Sequence, residues 1–275
     1  DTLKGYEGLR VHYLDEGPKD ADRTFLCLHG QPTWSFLYRK MIPVFVASGA
    51  RVICPDWLGF GRSDKPVEDA VYTFHFHRNM MKAFVAALDL KNLTLVCQDW
   101  GGILGLTLPM DMPARFERLL VMNAAIPVGQ SPGEGFTAWR AFNRSQPDLD
   151  IAGLMQRATS ILSDAEAAAY AAPFPDQSYK AGVRRFPELV MTDPDMEGVE
   201  TATRAAAWWR ADWSGPTFMA VGAQDPGLGG NQMDDLRATI KNCPPPMIVA
   251  DGGHFVQEWG EDIARAARTK WGDLA

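Results

Sequence analysis

The segment from residue 97 to residue 102 lies between two hydrophobic stretches and places a carboxylate where a nucleophile would be presented. A strand that ends in a tight turn with small residues, and continues into a helix, exposes the middle side chain at the top of a parallel sheet. A serine there needs a base before it attacks an acyl carbon. Asp99 is already an anion and can displace a leaving group from an sp3 carbon. The predicted intermediate is an alkyl ester of Asp99.

Turnover of such an ester requires a base that activates water. An elbow nucleophile is followed in the chain by an acid and then a histidine, each after a later strand. Asp225 follows the apolar run 217–221, and His254 follows the run 247–250 and two glycines. We predict that His254 activates water while Asp225 orients the imidazole and stabilises its charged form. Alone, Asp99 would be interpreted as a helix N-cap, but the order of the three residues favours catalysis.

Ester hydrolysis also needs hydrogen-bond donors for a tetrahedral oxyanion. The loop 29–32 reads His-Gly-Gln-Pro and follows the predicted strand 24–28, where one such donor should be located. We assign the donors to the backbone N–H groups of Gln31 and Trp100, each worth about 3 kcal/mol. His29 is interpreted as a structural support rather than a second base.

The elements that must position these residues are short apolar runs alternating with helical patterns. Continuous hydrophobic strands suit a parallel sheet covered on both faces, and right-handed crossovers make it doubly wound. Strand-like runs vanish between about 127 and 212. We therefore predict an α/β core domain (1–126 and 213–275) with an inserted helical cap domain (127–212). The predicted strands are 24–28, 51–54, 93–97, 119–122, 217–221 and 247–250, with an antiparallel edge strand in 9–14 and helices at 76–88 and 103–110.

Composition limits the possible partners. The 275 residues are 46% hydrophobic and 22% charged, which is ordinary for one globular α/β unit. The formal charge of -7 without a basic cluster argues against nucleic acid or anionic lipid, and no apolar run reaches the length of a membrane span. The four cysteines lack CxxC spacing, so we expect no metal and no cofactor, a reducing compartment and a cytoplasmic location. We also expect a monomer.

At these motifs the chain resembles the haloalkane dehalogenases of the α/β-hydrolase superfamily over nearly its whole length. The HGxP and DWGG elements are shared with epoxide hydrolases, whereas the cap segments are more specific and resemble those of the subgroup acting on short haloalkanes. The resemblance implies that water cleaves the carbon–halogen bond of a small haloalkane to give an alcohol, a halide ion and a proton. The segments that carry it are 29–34, 56–66, 98–102, 135–139, 171–176 and 253–255.

The resemblance also implies two donors that hold the leaving halide. In this family the residue after the nucleophile is a tryptophan whose indole N–H binds halide, which corresponds to Trp100. The second donor is a cap tryptophan, but Ala158 stands where it is expected, so we assign the role to Trp139. The alternative for Trp139 is packing within the cap. Another subgroup carries its catalytic acid where this chain has Asn123, which cannot be an anion, so Asp225 keeps that role.

A small alkyl halide offers almost only apolar surface, so the pocket walls should be apolar. For each predicted wall residue, ordinary core packing is the alternative. The predicted walls are Phe136, Phe174, Phe186 and Pro187.

Two other functions fit the same elbow. An epoxide hydrolase would use the same nucleophile and base, but would need two cap tyrosines that donate to the epoxide oxygen. Tyr170 and Tyr179 are the only tyrosines in the predicted cap. A catalytically inactive ligand receptor would keep the pocket, and the intact set of Asp99, Asp225 and His254 argues against it.

Overall fold

A seven-stranded sheet with the order β1-β3-β2-β4-β5-β6-β7 forms the centre of the computed structural model, which describes residues 3–273. β1 is antiparallel to β3, and the other neighbours are parallel. Three of the inner strands are buried at every residue, which explains their continuous hydrophobic sequences. The strands are β1 (Tyr13–Glu16), β2 (Thr24–Leu28), β3 (Arg51–Pro55), β4 (Leu93–Gln98), β5 (Phe116–Met122), β6 (Thr217–Gly222) and β7 (Met247–Val249).

The α-helices cover the sheet and form the long connection between β5 and β6. The predicted α/β fold with a mostly parallel, doubly wound sheet is confirmed by this arrangement. The helices are α1 (Ile42–Val46), α2 (Phe74–Ala87), α3 (Trp100–Gly105), α4 (Glu134–Ser145), α5 (Ile151–Ala158), α6 (Asp164–Ala171), α7 (Ala181–Leu189), α8 (Val199–Ala211), α9 (Gly230–Thr239) and α10 (Gly260–Trp271).

Two predicted elements differ from the observed ones. The helix expected at 103–110 is α3, which starts at Trp100 and ends at Gly105. Pro109 disfavours helical geometry in the residue before it, so the helix cannot extend to residue 110. The edge strand expected in 9–14 begins only at Tyr13, because Arg10 and the backbone of His12 bond to the loop after β3 instead.

The connection between β5 and β6 contains α4 to α8 and no strand among its residues, all of which the structure describes. We call residues 127–212 the cap segment. Its helices contact the core chain near the ends of the strands; for example, a Cβ on Gly182 would lie 3.1 Å from the ring of Phe60. The change from strands to helices that the sequence shows at residue 127 is therefore a feature of the fold.

His29, directly after β2, makes folding stability depend on pH. Its Nδ1 donates to the carbonyl oxygen of Gly30 and its Nε2 accepts from the backbone N–H of Trp57, which satisfies the neutral ring. Burial lowers the pKa of His29 from 6.5 to about 4. The unfolded chain binds this proton more readily, so the free energy of unfolding should fall by roughly 3 kcal/mol as the pH drops from 6.5 to 4.

Urea unfolding at a series of pH values measures this loss. His29→Gln should reduce the slope between pH 6.5 and 4.5 and leave the part that comes from the buried His77, whose pKa is also lowered to about 4. The same change at the exposed His75 should leave the slope as it is. An equal slope in the intact protein and in His29→Gln would contradict the assignment.

Candidate active site

Asp99 lies at a sharp turn between β4 and α3. Its φ of 50° and ψ of -124° lie outside the regions that most residues adopt, and its side chain makes no capping bond to α3. The N-cap interpretation is therefore wrong. A Cβ at Gly101 would lie 1.9 Å from the carbonyl oxygen of Leu28, and one at Gly30 would lie 2.3 Å from Asp99 Oδ2. Glycine at both positions lets two backbone segments approach the elbow.

His254 lies between two carboxylates. Its Nδ1 is 2.8 Å from Asp225 Oδ2, a hydrogen bond, and its Nε2 is 3.9 Å from Asp99 Oδ1. The longer gap exceeds a direct hydrogen bond, and a catalytic base can act across such a gap through one water. The three predicted residues therefore meet at one point, although Asp99 and His254 are 155 positions apart in the sequence.

Asp225 accepts hydrogen bonds at both carboxylate oxygens. Oδ1 accepts from the backbone N–H groups of Gly227 and Leu228 at 2.9 and 3.1 Å, and Oδ2 accepts from His254 and, at 2.9 Å, from Asn123 Nδ2. Burial opposes ionisation, but the charge of His254 and these bonds hold the pKa of Asp225 well below its usual range. Asp225 is thus an anion held by hydrogen bonds at both oxygens, one of which contacts His254 Nδ1.

Asn123 enters the sequence analysis only as a position that cannot supply the catalytic acid, and the hydrogen bonds that it makes in the site were missed there. It follows β5 with a φ of 26°, its Oδ1 accepts from the backbone N–H of Gly222, and its carbonyl oxygen accepts from the N–H of Asp99. It therefore connects the nucleophile, the end of β6 and Asp225. The sequence feature that could have identified this role is the position of Asn123 directly after a strand that neighbours the elbow strand.

The charges in this site are strongly coupled. Burial raises the pKa of Asp99, although His254 and the backbone N–H groups of Gln31 and Trp100 act against it. Burial also disfavours a charged His254, but Asp225 and Asp99 raise its pKa to about 9. Esterification would remove the Asp99 charge, so the pKa of His254 must be lower in an alkyl-enzyme.

The predicted oxyanion donors contact the nucleophile. The backbone N–H of Gln31 donates to Asp99 Oδ2 at 2.7 Å, and the nearby backbone N–H of Trp100 favours the ionised form of the carboxylate. Asp99 Oδ1 is the oxygen that faces His254. The two carboxylate oxygens of Asp99 therefore have different surroundings, one held by the backbone and one directed at the base.

A cavity of about 1420 Å³ opens above the elbow. No residue within 3–273 accepts a hydrogen bond from the indole N–H of Trp100, so that donor is available to a ligand. The residues singled out from the sequence that line this cavity are Gln31, Asp99, Trp100, Phe136, Trp139, Ala158, Pro187, Asp225 and His254.

Two predicted wall residues lie behind the cavity instead. Phe186 is fully buried under Trp100, with ring centroids 4.5 Å apart, and Phe174 packs against Phe60 and beneath Lys65. The prediction of a wall is corrected for Phe174 and Phe186. These aromatic rings pack between the cap segment and the core, and the ring of Phe186 is tilted by 54° against the Trp100 indole.

The two cap tyrosines do not line this cavity. The hydroxyl of Tyr170 donates to the buried Glu258, which also pairs with Arg39 at 2.7 Å. Tyr179 is exposed. An epoxide in the cavity would therefore lack the pair of phenolic donors that an epoxide hydrolase requires.

Metal binding and membrane insertion find no support in the residues that the structure describes. Within 3–273, no group of His, Cys, Asp or Glu side chains is arranged to hold a metal ion. No helix in the same range has the length and apolar character needed to cross a membrane.

Comparisons with known proteins agree with this site. A protein-family model for the alpha/beta hydrolase fold matches residues 23–261. A haloalkane dehalogenase of Psychrobacter cryohalolentis is 45% identical over 94% of this chain and 86% of its own length, and one of Mycobacterium marinum is 42% identical over 91% and 84%. Among solved structures, the haloalkane dehalogenase DpaA of Paraglaciecola agarilytica is 52% identical, with a TM-score of 0.96 over 98% of this chain and 90% of that one.

The solved relative is described as tetrameric, which does not fit the monomer expected from this sequence. The named relatives do not favour the epoxide hydrolase alternative. The likeness extends over more than nine tenths of the chain. The chain belongs to the haloalkane dehalogenases of the α/β-hydrolase fold.

Proposed function

We propose that Asp99 forms an alkyl ester with a small haloalkane in the first half-reaction. Asp99 Oδ1 attacks the halogen-bearing carbon in line, so the new C–O bond forms as the C–halogen bond breaks and its electron pair leaves with the halide. The observation that carries this proposal is that the two carboxylate oxygens of Asp99 have different hydrogen-bond surroundings. Oδ2 is held by Gln31 at 2.7 Å, whereas Oδ1 remains directed at the cavity side and His254.

In the proposed second half-reaction, water attacks the carbonyl carbon of the ester. His254 Nε2 takes a proton from that water, and Asp225 stabilises the imidazolium. The oxyanion forms on Oδ2, to which the N–H of Gln31 already donates, and the N–H of Trp100 is the second proposed donor. Collapse of the intermediate breaks the bond between the carbonyl carbon and the alkyl oxygen. The alcohol leaves with the proton from His254, and Asp99 remains as a carboxylic acid that holds the second proton of the water. His254 passes this proton to solvent, and Asp99 returns to its anionic form.

The halide in this scheme is held by the indole N–H groups of Trp100 and Trp139. Indole nitrogen only donates, so it stabilises an anion without competing as a base. Both residues line the cavity, and Ala158 lines it as well, in place of the tryptophan that the family pattern predicted there. The small side chain of Ala158 leaves space that a ligand can occupy.

Trp139→Phe should weaken bromide binding and slow the first half-reaction by roughly tenfold to a hundredfold, because it removes one hydrogen bond to an anion and keeps an aromatic ring. Bromide titration followed by tryptophan fluorescence, with a stopped-flow burst, measures both effects. Trp208→Phe is the matched control, since Trp208 packs on Trp209 and Trp213 outside the cavity. Unchanged bromide affinity in Trp139→Phe would assign Trp139 to packing.

The division into domains follows from the same scheme. The core domain (1–126 and 213–275) supplies the nucleophile, acid and base, and the cap domain (127–212) supplies Trp139 and the apolar walls Phe136 and Pro187. Both walls and Trp139 line the cavity together with Asp99, which supports this assignment. Free cysteines at all four positions support a cytoplasmic location.

Halide release from 1,2-dibromoethane and 1-bromobutane tests the function. The intact protein should release bromide in many turnovers, and Asp99→Asn should release none above the uncatalysed background, because the amide is not a nucleophile. Absence of bromide release by the intact protein with both substrates would refute this activity for short bromoalkanes. Styrene oxide provides the comparison for epoxide opening, for which we expect no turnover.

A further inference from the structure

Gln98, the last residue of β4, contacts the imidazole of His254 and has no role in the reaction described above. It is fully buried. Its Nε2 lies 3.1 Å from His254 Nε2 and 3.0 Å from the carbonyl oxygen of His254. One amide group therefore touches both the reactive nitrogen and the backbone of the proposed base.

The surroundings of Gln98 fix which end of its amide faces the histidine. The carbonyl oxygen of His254 can only accept, so the amide nitrogen must face it. On the other side, Gln98 Oε1 lies 3.4 Å from Gln257 Nε2, which is a donor. If the Gln98 amide were reversed, its oxygen would face the carbonyl oxygen of His254 and its NH2 group would face the NH2 group of Gln257. Both contacts are unfavourable. The second N–H of the Gln98 amide is therefore directed at His254 Nε2.

The two ends of the imidazole then have defined protonation states. Nδ1 lies 2.8 Å from the Asp225 carboxylate, which only accepts, so the ring proton is on Nδ1. In the neutral ring, Nε2 carries a lone pair that accepts from Gln98. A proton on Nε2 would bring two N–H groups within 3.1 Å of each other. The contact with Gln98 thus disfavours the imidazolium, whereas the negative charges of Asp225 and Asp99 favour it.

We infer that Gln98 is a positioning residue for the proposed second half-reaction: once the ester has removed the charge of Asp99, the Gln98 amide favours the neutral His254 ring with Nε2 unprotonated and ready to accept a proton from water. This inference rests on the proposed function. Water enters on the Asp99 side of Nε2, where the 3.9 Å gap lies, and shares the lone pair with Gln98. The imidazolium that forms faces the Gln98 N–H unfavourably, which favours transfer of its proton to the departing alcohol oxygen.

Two variants separate this role from simple packing. Gln98→Met has a similar length and no donor, and Gln98→Glu places carboxyl oxygens, which accept from an imidazolium, beside Nε2. Both should keep the halide burst of the first half-reaction within about twofold. Both should slow ester hydrolysis at pH 7 about tenfold or more, with recovery at higher pH, because the midpoint of the pH profile moves up by about one pH unit.

The state of His254 can also be measured without turnover. Nitrogen-15 NMR of histidine-labelled intact protein should show His254 with its proton on Nδ1 and Nε2 unprotonated in the neutral ring. In Gln98→Met, the titration midpoint of His254 should rise. A neutral ring protonated on Nε2, or an unchanged midpoint and an unchanged pH profile of hydrolysis in the variants, would overturn the inference.

Failure of this inference can be told apart from failure of the proposed function. Absence of halide release by the intact protein refutes the proposed function, whereas the NMR titration still decides the role of Gln98. Thermal melting identifies a variant that does not fold. In that case the other variant and the tautomer observed in the intact protein decide the question.

Discussion

His254→Phe should release one halide per enzyme molecule and then stop. The first half-reaction needs only the Asp99 anion, the aligned substrate and the halide donors, none of which is on His254. The second half-reaction loses its base, and general base catalysis contributes roughly a hundredfold to ten-thousandfold. Steady-state turnover should fall by at least that range, while an ester of Asp99 accumulates.

The choice of pH is important for this experiment. Burial raises the pKa of Asp99, and the charge of His254 is one of the influences that lower it. Without that charge, Asp99 ionises less readily, so the burst should be measured over a range of pH values that extends to alkaline pH. At lower pH a weak burst would report protonated Asp99 rather than a failed displacement.

Mass spectrometry of the intact protein after exposure to 1-bromobutane detects the ester directly. The expected change is the addition of one butyl group in place of a proton, located by proteolysis on the peptide that contains Asp99. His75→Phe serves as the control, since His75 is exposed and lies outside the cavity. Multiple turnovers by His254→Phe would show that another group activates the water.

Much of this site could be predicted from the sequence because parallel strands bring their carboxyl ends to one edge. Asp99, Asp225 and His254 each follow a hydrophobic run, so placing the runs in one sheet also places the three side chains together. The close approach of Gly30 and Gly101 to the elbow depends on the same topology. The doubly wound sheet needed only the strand positions, which hydrophobicity marks clearly.

The parts that could not be predicted depend on contacts between side chains from distant segments. Asn123 and Gln98 have ordinary sequence settings, and their roles follow only from amide groups that face Asp225 and His254. Phe186 was expected to line the pocket, but the rotation of α7 turns its ring under Trp100. No periodic pattern specifies which face of a short cap helix contacts a ligand and which contacts the core.

Asp225→Asn should reduce turnover by roughly a thousandfold to ten-thousandfold, an effect expected for a triad acid replaced by its amide. The backbone N–H groups of Gly227 and Leu228 at Oδ1 require an acceptor, so the oxygen of the introduced amide must stay on that side. The NH2 group of that amide then occupies the position of Oδ2 and donates towards His254 Nδ1.

That orientation changes the tautomer of the base. With a donor at Nδ1, the ring proton of His254 moves to Nε2, and the nitrogen that faces the Asp99 ester no longer has a lone pair. In the intact protein, Asn123 Nδ2 lies 2.9 Å from Asp225 Oδ2. An NH2 group at that position would face the NH2 group of Asn123, which is an unfavourable contact between two donors. The burst of halide should persist while ester hydrolysis fails, which distinguishes this variant from Asp99→Asn.

Burst and steady-state kinetics of Asp225→Asn, beside Asp234→Asn on the exposed face of α9, test this argument. The nitrogen-15 spectrum of His254 should report the proton on Nε2 instead of Nδ1. Loss of the burst together with turnover would instead place Asp225 in the first half-reaction. The contrary result is that hydrolysis is retained while the ring proton stays on Nδ1. That result would mean that His254 accepts a proton from water without the negative charge of Asp225 and without the higher pKa that this charge gives the imidazole.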